Sequence, residues 1–511
     1  GLFALFNAAG VTLPNTGTVV RPRTIIVAIL VGVIVTVLAS LRPAIRATRV
    51  EPIAAVREGA TIPDGRLARY RTVMSGATAV LGLVALLLGL FVASGTGPVL
   101  ILMGLGAVLI FIGVAMLSAR IVPRLATWLG WPATRIAGTI GELARDNTIR
   151  NPQRTASTAS ALMIGLALVT FVTVLSAGIV ANFKGAVNDV FKGDYAITAQ
   201  NNFSPIPISA GEAAARARGV VAVGDVRAGE GQVFGSNEQL TAVNPTIGRV
   251  VHLNWTHGSQ AVLASLGAGG AFIDNGYASK HHLSVGSPVV VTTPTGGRVP
   301  LLVKGIFKPP NGGSPFGPVT MSAATWDKAY PQPENLYTLV KTTGGESAAN
   351  QRALNRAMAP FPNAKVQTRE QFINNQIAGL SSVLNILYVL LALSIIVSLF
   401  GIVNTLVLSV FERTREIGML RAVGTSRRQV RRMIRHESVI TALIGSVLGI
   451  ALGIAFGALL AARDSSSIAF VIPVGRLIVF LIASWLVGLV AAIFPARRAA
   501  KLNPLQALAY E

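Results

Sequence analysis

Few side chains in this sequence stand in a pattern that could carry out chemistry. His281 and His282 are candidate metal ligands, but adjacent residues of a strand point to opposite faces, and no third ligand follows at a suitable spacing. Asp274 could support hydrolysis together with a histidine, yet the sequence has no Gly-x-Ser-x-Gly nucleophile turn. The chain also has no cysteine, which excludes thiolate catalysis and disulfides. We therefore predict no catalytic residue and no metal site.

The composition indicates a membrane protein. Of the 511 residues, 52% are hydrophobic and only 13% are charged, roughly half the charged share of an ordinary soluble domain. The 44 Lys and Arg residues exceed the 21 Asp and Glu residues, and in a soluble protein the resulting net charge of +23 would suggest nucleic acid. Here the excess is concentrated between apolar runs, so we expect no nucleic-acid partner.

Seven apolar runs are long enough to cross a hydrocarbon core of about 30 Å as helices. They lie near 24–41, 72–94, 98–119, 156–182, 379–411, 437–463 and 472–494. The alternation of these crossings puts the long segment 183–375, here called the external domain, on the side opposite to the short connecting segments.

The basic residues set the orientation. Four segments together carry 24 basic and 8 acidic residues, whereas the external domain carries 16 and 11. Because cytoplasmic loops retain Lys and Arg, these four segments are predicted to be cytoplasmic and the external domain extracytoplasmic. The bias toward Arg over Lys, with abundant Ala, Gly and Val, suggests a GC-rich bacterial genome, so we expect a multi-pass protein of the bacterial plasma membrane. The four segments are 42–71, 120–156, 412–436 and 497–511.

An internal repeat indicates that one membrane unit occurs twice. Residues 24–56 align without gaps to residues 476–508, and both leave an apolar helix through Pro-Ala-x-Arg-Ala. At the same offset, Gly1 falls on Gly453, in the middle of an apolar run. We expect residues 1–9 to be the outer end of a helix whose first half is absent, and the chain to be the C-terminal part of a longer protein.

These features divide the chain into five predicted parts. They are the tail of a first membrane repeat, a linker helix pair with cytoplasmic segments, the first helix of a second repeat, the external domain, and the last three helices of the second repeat. Their bounds are 1–59, 60–150, 151–182, 183–375 and 376–511. The fold class is an α-helical polytopic membrane protein with an extracytoplasmic α+β domain.

The external domain shows both helix and strand signals. A capping box of Ser209 and Glu212 predicts one helix, and residues 347–358 a second. Residues 287–307 are predicted to form a hairpin, and residues 337–343 a further strand.

Two features of the apolar helices suggest how they pack and move. Gly445, Gly449, Gly453 and Gly457 recur every fourth residue, so they share one helix face and permit close approach of another membrane helix. Two helices, one that begins at Asn151 and one that ends near residue 411, are longer than a bilayer requires. Polar residues at the outer end of the helix that ends near 411 favour a stalk that projects from the membrane over a tilted helix within it.

The segment 411–438 predicts two cytoplasmic elements. A short amphipathic helix ends at Gly424, since glycine readily adopts the left-handed conformation after a helix. Ser426 and Gln429 then form a capping box for a new, arginine-rich helix. One interpretation is an amphipathic helix held at anionic lipid head groups; the other is a docking element for a protein partner.

Three motifs carry a resemblance to a known family. Glu-Arg-Thr-Arg-Glu-Ile-Gly-Met-Leu-Arg-Ala-Val-Gly-Thr-Ser (412–426) resembles the signature of FtsX-like and MacB-like (type VII) ABC transporter permeases. Residues 494–508 resemble the C-terminal motif of that family and residues 151–165 its opening motif. The resemblance implies a two-repeat permease whose external domain is similar to the MacB-like periplasmic core domain.

The resemblance also implies a mechanism and partners. Family members carry a cytoplasmic coupling helix that docks on an ABC ATPase, and no Gly-x-x-x-x-Gly-Lys-Ser/Thr phosphate loop occurs in this chain, so ATP and Mg²⁺ are expected on a partner subunit. Apolar Ile417 and Leu420 would enter a groove while Arg413 and Arg421 pair with acids around it. The predicted coupling residues are Arg413, Glu416, Ile417, Gly418, Leu420, Arg421, Ala422 and Gly424.

The implied activity is mechanotransmission, in which ATP hydrolysis inside moves the external domain to export or relocate a lipid, lipoprotein, peptide or drug. Membrane lipids, and an extracytoplasmic adaptor or lipoprotein, are the other expected partners. Two alternatives stay open: an FtsX-like signalling scaffold that activates a cell-wall hydrolase, and a membrane sensor linked to a kinase.

Overall fold

The computed structural model describes residues 22–47, 71–311, 316–464 and 468–502. The predicted helix remnant 1–9 and the last residues of the C-terminal motif lie outside these ranges. The described chain forms two compact units, one containing the residues up to Leu125 with Asn151–Ser157, the other Ala126–Arg150 with the residues from Thr158 onward.

The helices account for most of the chain outside the external domain. In chain order the described α-helices are α1 (Pro22–Ala47), α2 (Arg71–Phe91), α3 (Thr96–Ala137), α4 (Thr139–Arg150), α5 (Pro152–Val190), α6 (Ile208–Ala215), α7 (Asn275–Lys280), α8 (Ala323–Ala329), α9 (Ala348–Met358), α10 (Arg369–Glu412), α11 (Thr414–Ala422), α12 (Arg427–Arg463), α13 (Val474–Ala491) and α14 (Ile493–Ala500).

Six stretches of the described helices are long and apolar enough to cross a membrane. They fall in α2, α3, α5, α10, α12 and the pair α13–α14, and each corresponds to a predicted run. The remaining predicted run, 24–41, lies in α1, whose apolar stretch Pro22–Val37 is shorter than the others.

Helices α2 and α3 pack closely through glycines. A Cβ placed on Gly82 would lie 2.6 Å from the amide nitrogen of Ile110, and one on Gly106 would lie 2.6 Å from that of Leu86. Side chains would not fit at these points, so the small residues allow the two backbones to touch. The turn between the helices contains Gly95 at φ 86°, a conformation that favours glycine.

Helices α5 and α10 extend well beyond a bilayer. They contain 39 and 44 residues, which correspond to roughly 58 and 66 Å at ~1.5 Å per residue. Helix α10 begins with a capping box in which Thr368 and Gln371 satisfy each other's backbone amides. Both helices therefore project from the apolar zone into the external domain.

The external domain is built on one mixed sheet. Its strand order is β12-β1-β11-β3-β4-β9-β6-β8-β5, with β7 pairing to β3 and β8, while β2 and β10 form a separate pair. The strands are β1 (Tyr195–Ala199), β2 (Ile206–Pro207), β3 (Val220–Val233), β4 (Ser236–Val243), β5 (Asn254–His257), β6 (Gly270–Asp274), β7 (Pro288–Thr292), β8 (Arg298–Lys308), β9 (Val319–Ser322), β10 (Glu334–Asn335), β11 (Tyr337–Thr342) and β12 (Ala364–Thr368).

Most local predictions for this domain are confirmed. Strands β7 and β8 form the predicted hairpin, β11 is the predicted strand, and α9 begins after Ser347, whose hydroxyl accepts from the Asn350 amide. The Ser209 capping box is wrong, because α6 begins at Ile208 after Pro207 and has no side-chain cap. Pro207 sets the extended backbone that starts the helix, which leaves Ser209 inside the first turn.

The two stalk helices join neighbouring strands. Helix α5 leads into β1 and β12 leads into α10, and the two strands pair antiparallel with Tyr195 opposite Thr368. The Arg369 side chain donates to the Asn188 backbone oxygen at 3.2 Å and to its Oδ1 at 2.6 Å. The Arg369 amide donates to the Asp194 carbonyl at 3.0 Å. The ends of α5 and α10 are thus tied to each other and to one sheet edge.

Candidate functional site

The predicted coupling helix is α11, a single short helix between two long ones. It ends in a Schellman motif: the Gly424 amide donates to Arg421 and the Thr425 amide to Leu420, with Gly424 at φ 109°. Ser426 and Gln429 then form both bonds of the predicted capping box at the start of α12. These predicted boundaries are confirmed, and they make the turn between α11 and α12 stiff.

Arg413 links the three helices that meet at this turn. It lies between α10 and α11, and its side chain is only 15% exposed. Its Nε donates to Glu416 Oε2 at 2.9 Å and its Nη1 to Glu437 Oε2 at 3.4 Å, so it bridges α11 and α12. The prediction that Arg413 pairs with an external partner is corrected here, because its guanidinium is already held by two carboxylates of its own chain.

Ile417 is the apolar anchor of the same junction. It is 2% exposed and packs in a cluster that also draws on α4, α10, α12 and α14. Full burial of such a side chain contributes about 1.5–3 kcal/mol. The prediction that Ile417 enters a partner's groove is therefore also corrected. We call this set the cytoplasmic cluster: Ala144, Val410, Ile417, Val430, Met433, Ile434, Ala496 and Ala499.

The C-terminal motif closes the cluster from the other side. Pro495 has no amide hydrogen to donate to Ala491, so the last membrane helix breaks at Ala492 and continues as α14. Pro495, Ala496 and the pair Ala499–Ala500 are buried. Arg421 donates to the backbone oxygens of Ala500 and Leu502, so this predicted docking residue joins α11 to the end of α14.

A different face of α11 is open. Val423 is 90% exposed and Met419 is 47% exposed, and Arg415, Glu416 and Ala422 are exposed beside them. Of the other predicted coupling residues, Gly418 is buried, Leu420 is half-buried and Gly424 is exposed. The predicted coupling set does not include Met419 or Val423, although Val423 shares a helical spacing with Ile417 and Leu420. Met419 follows buried Ile417 by two residues, about 200° around a helix, and that spacing could have placed it on the outer face.

Helix α12 carries a positive surface near its N-terminal end. Arg428, Arg431, Arg432 and Arg435 line a shallow cleft of about 220 Å³. Among the ion pairs of the described residues, none includes any of these four side chains. The cleft is therefore suited to anionic groups from outside the chain.

The glycine stripe of α12 faces α5. A Cβ on Gly445 would lie 2.6 Å from the carbonyl oxygen of Ala159, and one on Gly449 would lie 2.6 Å from that of Met163. Gly453 approaches the Ala167 carbonyl oxygen in the same way, and Gly457 faces the Val174 side chain one turn further. Successive glycines meet successively later residues of α5, so the two helices run parallel with their backbones in contact.

Asp274 and His281, which were considered for catalysis or metal binding, make contacts that stabilise the fold. The Asp274 side chain caps α7 by accepting from the amides of Gly276 and Tyr277. His281 stacks on Phe234 with ring centroids 4.7 Å apart, and lies 4.5 Å from the Tyr277 ring. Within the described ranges, no group of three or more His, Cys, Asp or Glu side chains is placed to hold a metal.

The external domain contains a buried acidic network around Asp225. Asp225 Oδ1 accepts from Thr338 Oγ1 at 2.7 Å and from Asn335 Nδ2 at 2.9 Å, and Oδ2 accepts from Asn244 Nδ2 at 3.0 Å. Burial raises the pKa of the Asp225 carboxyl, although these hydrogen bonds and nearby Arg227 oppose the shift. The network ties β3 to the loop after β4 and to β10 and β11.

Comparison with known proteins agrees with this architecture. The FtsX-like permease C-terminal family matches residues 388–504, and the MacB-like periplasmic core domain family matches residues 155–357. The first match contains α11, α12 and α14, and the second contains nearly all of α5 and most of the sheet.

Individual relatives match over short regions. The macrolide export ATP-binding/permease protein MacB of Bdellovibrio bacteriovorus is 36% identical over 120 residues, which are 24% of this chain and 18% of that protein. The uncharacterized ABC transporter permease YknZ of Bacillus subtilis is 32% identical over 121 residues, 23% of this chain and 30% of that protein. Less than a third of each relative is therefore matched.

One solved structure shows a partial similarity to this chain. The extracellular domain of the transporter YknZ from Gram-positive bacteria is 16% identical, and the match covers 35% of this chain and 99% of that one with a TM-score of 0.26.

The helices and the sheet define a polytopic membrane protein with an extracytoplasmic α+β domain. More specifically, the chain carries the FtsX-like permease C-terminal domain and the MacB-like periplasmic core domain, the two domains of the ABC transporter permeases that its sequence motifs predicted.

Proposed function

We propose that this permease couples ATP hydrolysis by a separate ABC ATPase to movement of the external domain, and so exports or relocates a lipid, lipoprotein, peptide or drug. ATP and Mg²⁺ would be bound by that ATPase, with an adaptor or lipoprotein as a further external partner. The observation that carries the proposal is a continuous mechanical connection from the cytoplasmic turn to the sheet.

The connection begins at α11. Arg413 ties this helix to α12, and Ile417 packs it against α4, α10 and α14. A force on the open face of α11 would therefore move the helix ends together instead of bending one loop. Tightly packed elements transmit displacement because their cores are not continuously deformable.

The connection continues through the membrane and reaches the sheet. Helix α12 lies against α5 through the glycine stripe, and α10 runs without a break from Arg369 to Glu412. Arg369 joins the outer ends of α5 and α10 beside β1 and β12. This arrangement suits transmission of movement along rigid helices.

We assign docking of the ATPase to Met419 and Val423, supported by the arginine cleft of α12. Exposed apolar side chains at the tip of a rigid turn can enter a hydrophobic groove, while the arginines steer toward acidic residues. Ile417 and Arg413, two members of the predicted set that contact their own chain, would act by holding α11 in position.

The test uses the full chain reconstituted in nanodiscs with its cognate ABC ATPase. Met419→Asp with Val423→Asp should reduce co-purification of the ATPase and abolish stimulation of its activity by the permease. The matched control is Ile136→Asp, since Ile136 is 82% exposed in a predicted cytoplasmic segment but lies outside α11. Normal stimulation in the double variant, or an equal loss in the control, would refute the assignment.

A further inference from the structure

A cavity of about 390 Å³ lies where the stalk helices meet the sheet. Its walls come from the last turns of α5, the first turns of α10, the loop after β1 and the strand β11. The volume falls within the range of about 300–1,000 Å³ typical of small-molecule sites. It is therefore large enough to hold a ligand.

The lining has a distinct chemistry. No Asp, Glu, Lys, Arg or His is among the described residues that line it. Aromatic rings dominate: Phe372 lies 6.3 Å from Phe191 and 5.8 Å from Tyr337 between ring centroids. The polar side chains are mainly amides, including Gln376. Such a lining favours an uncharged, apolar ligand and disfavours an ion, because an unpaired charge is costly to desolvate.

One side chain at this cavity is unusually exposed for its type. Phe203 is 66% exposed and follows Asn202, whose backbone has φ 66°. The Asn202 Oδ1 accepts from Gln367 Nε2 at 3.1 Å, which ties the loop to β12. The loop is fixed to β12 and exposes the Phe203 ring beside an apolar cavity, an arrangement that favours binding of an apolar group.

The inner end of the cavity lies just above the outer membrane surface. Helices α5 and α12 run parallel, and Gly457 lies opposite Val174. Arg463, the first charged residue of α12 after Glu437, is six residues beyond Gly457, or about 9 Å. An equal rise along α5 from Val174 reaches about residue 180, so Phe183 begins the cavity wall just outside the hydrocarbon region.

We propose that this cavity binds a single acyl chain of an amphiphile taken from the outer leaflet. The charge-free aromatic lining and the position beside the outer membrane surface both support a hydrocarbon chain whose polar head remains in water. Because the walls come from both stalk helices and the sheet, an occupied cavity would favour one arrangement of these elements over another. The site does not depend on the ATPase coupling proposed above.

The experiment measures binding directly, without ATPase. The purified full chain in nanodiscs is irradiated with a phospholipid carrying a diazirine in its acyl chain or, in a second arm, with a diacylated peptide carrying the same group. Mass spectrometry then locates the crosslinks. We expect enrichment on 183–191 and 372–376, and the arm with the stronger labelling identifies the source of the chain.

Two variants test the cavity with different chemistry. Val187→Trp fills it and Gln376→Glu adds a charge with little change in volume, and each should reduce labelling at least fivefold. The matched controls are Leu168→Trp, at an exposed site lower on α5, and Asn374→Asp, outside the cavity on α10. Both should label like the unmodified chain.

Three results would overturn the proposal. The first is labelling spread evenly along α5, and the second is unchanged labelling in both cavity variants. The third is displacement of the probe by a compact aromatic compound, together with labelling that does not depend on the length of the probe's acyl chain. Since no ATPase is present, these outcomes are distinguishable from a failure of the coupling proposal.

Discussion

The contact between α12 and α5 offers the sharpest test of how the membrane helices are assembled. We consider Gly453→Ala, which adds one methyl group at the centre of the stripe. That carbon would lie 2.5 Å from the Ala167 carbonyl oxygen and 2.5 Å from the Thr170 Cβ. Both atoms belong to or adjoin the α5 backbone, so neither can rotate away.

The expected cost follows from that geometry. Ordinary Cβ contacts begin near 3.4 Å, so the helices must separate locally by about 0.9 Å. A gap of about 0.5–1 Å forfeits a quarter to a half of the dispersion energy of the contacts it opens. Overpacking of this kind typically costs about 1–3 kcal/mol, whereas Gly→Ala in an open helix position gains about 0.5–1 kcal/mol.

The assay is the melting temperature of the purified chain in detergent, measured against Gly401→Ala. Gly401 lies inside α10, and a Cβ there would meet nothing closer than the Ala161 Cβ at 4.0 Å. Gly453→Ala should melt below the unmodified chain, and Gly401→Ala at or above it. Gly453→Val should lower the melting temperature further. Equal melting of the two alanine variants would refute close packing of α12 on α5.

Three further predictions concern other parts of the connection. Arg413→Ala should destabilise the cytoplasmic turn by about 1–3 kcal/mol, because it leaves the mostly buried Glu437 carboxylate without this partner. Arg413→Ala should therefore melt at a lower temperature than Arg413→Lys, and identical melting temperatures of the two variants would contradict the prediction. Arg369→Ala should preserve ATPase stimulation but uncouple it from external movement, because it removes the hydrogen bonds that join the outer ends of α5 and α10. Spin-label distances between α5 and α10 measure this movement, with the exposed Arg352→Ala as control, and distances equal to those of the unmodified chain would contradict the role of Arg369. The pKa of the Asp225 carboxyl is raised in the folded state, so its contribution to stability should increase as pH falls through that raised pKa and level off below the pKa of the unfolded chain. The difference in melting temperature between the unmodified chain and Asp225→Asn should follow this trend. A difference that does not change with pH would contradict it.

Local signals predicted the elements of this protein well. Helix and turn boundaries such as Gly424, the Ser426 capping box and the hairpin of β7 and β8 depend on residues close together in sequence. Apolar length and the distribution of Lys and Arg predicted the membrane segments and their orientation, because the bilayer acts on each segment separately. Even where a local signal failed, at Ser209, the competing residue was its near neighbour Pro207.

The roles of side chains at the coupling turn could not be predicted in the same way. Amphipathic spacing identified Ile417 and Arg413 as notable, but whether a residue faces a partner or its own chain depends on α4 and α14, which lie far away in sequence. The cavity between the stalk and the sheet is likewise assembled from segments more than 180 residues apart. Short-range propensity and hydropathy thus determine which elements form and on which side of the membrane they lie. Long-range packing decides which faces remain open, because each buried contact needs a complementary surface supplied by another part of the chain.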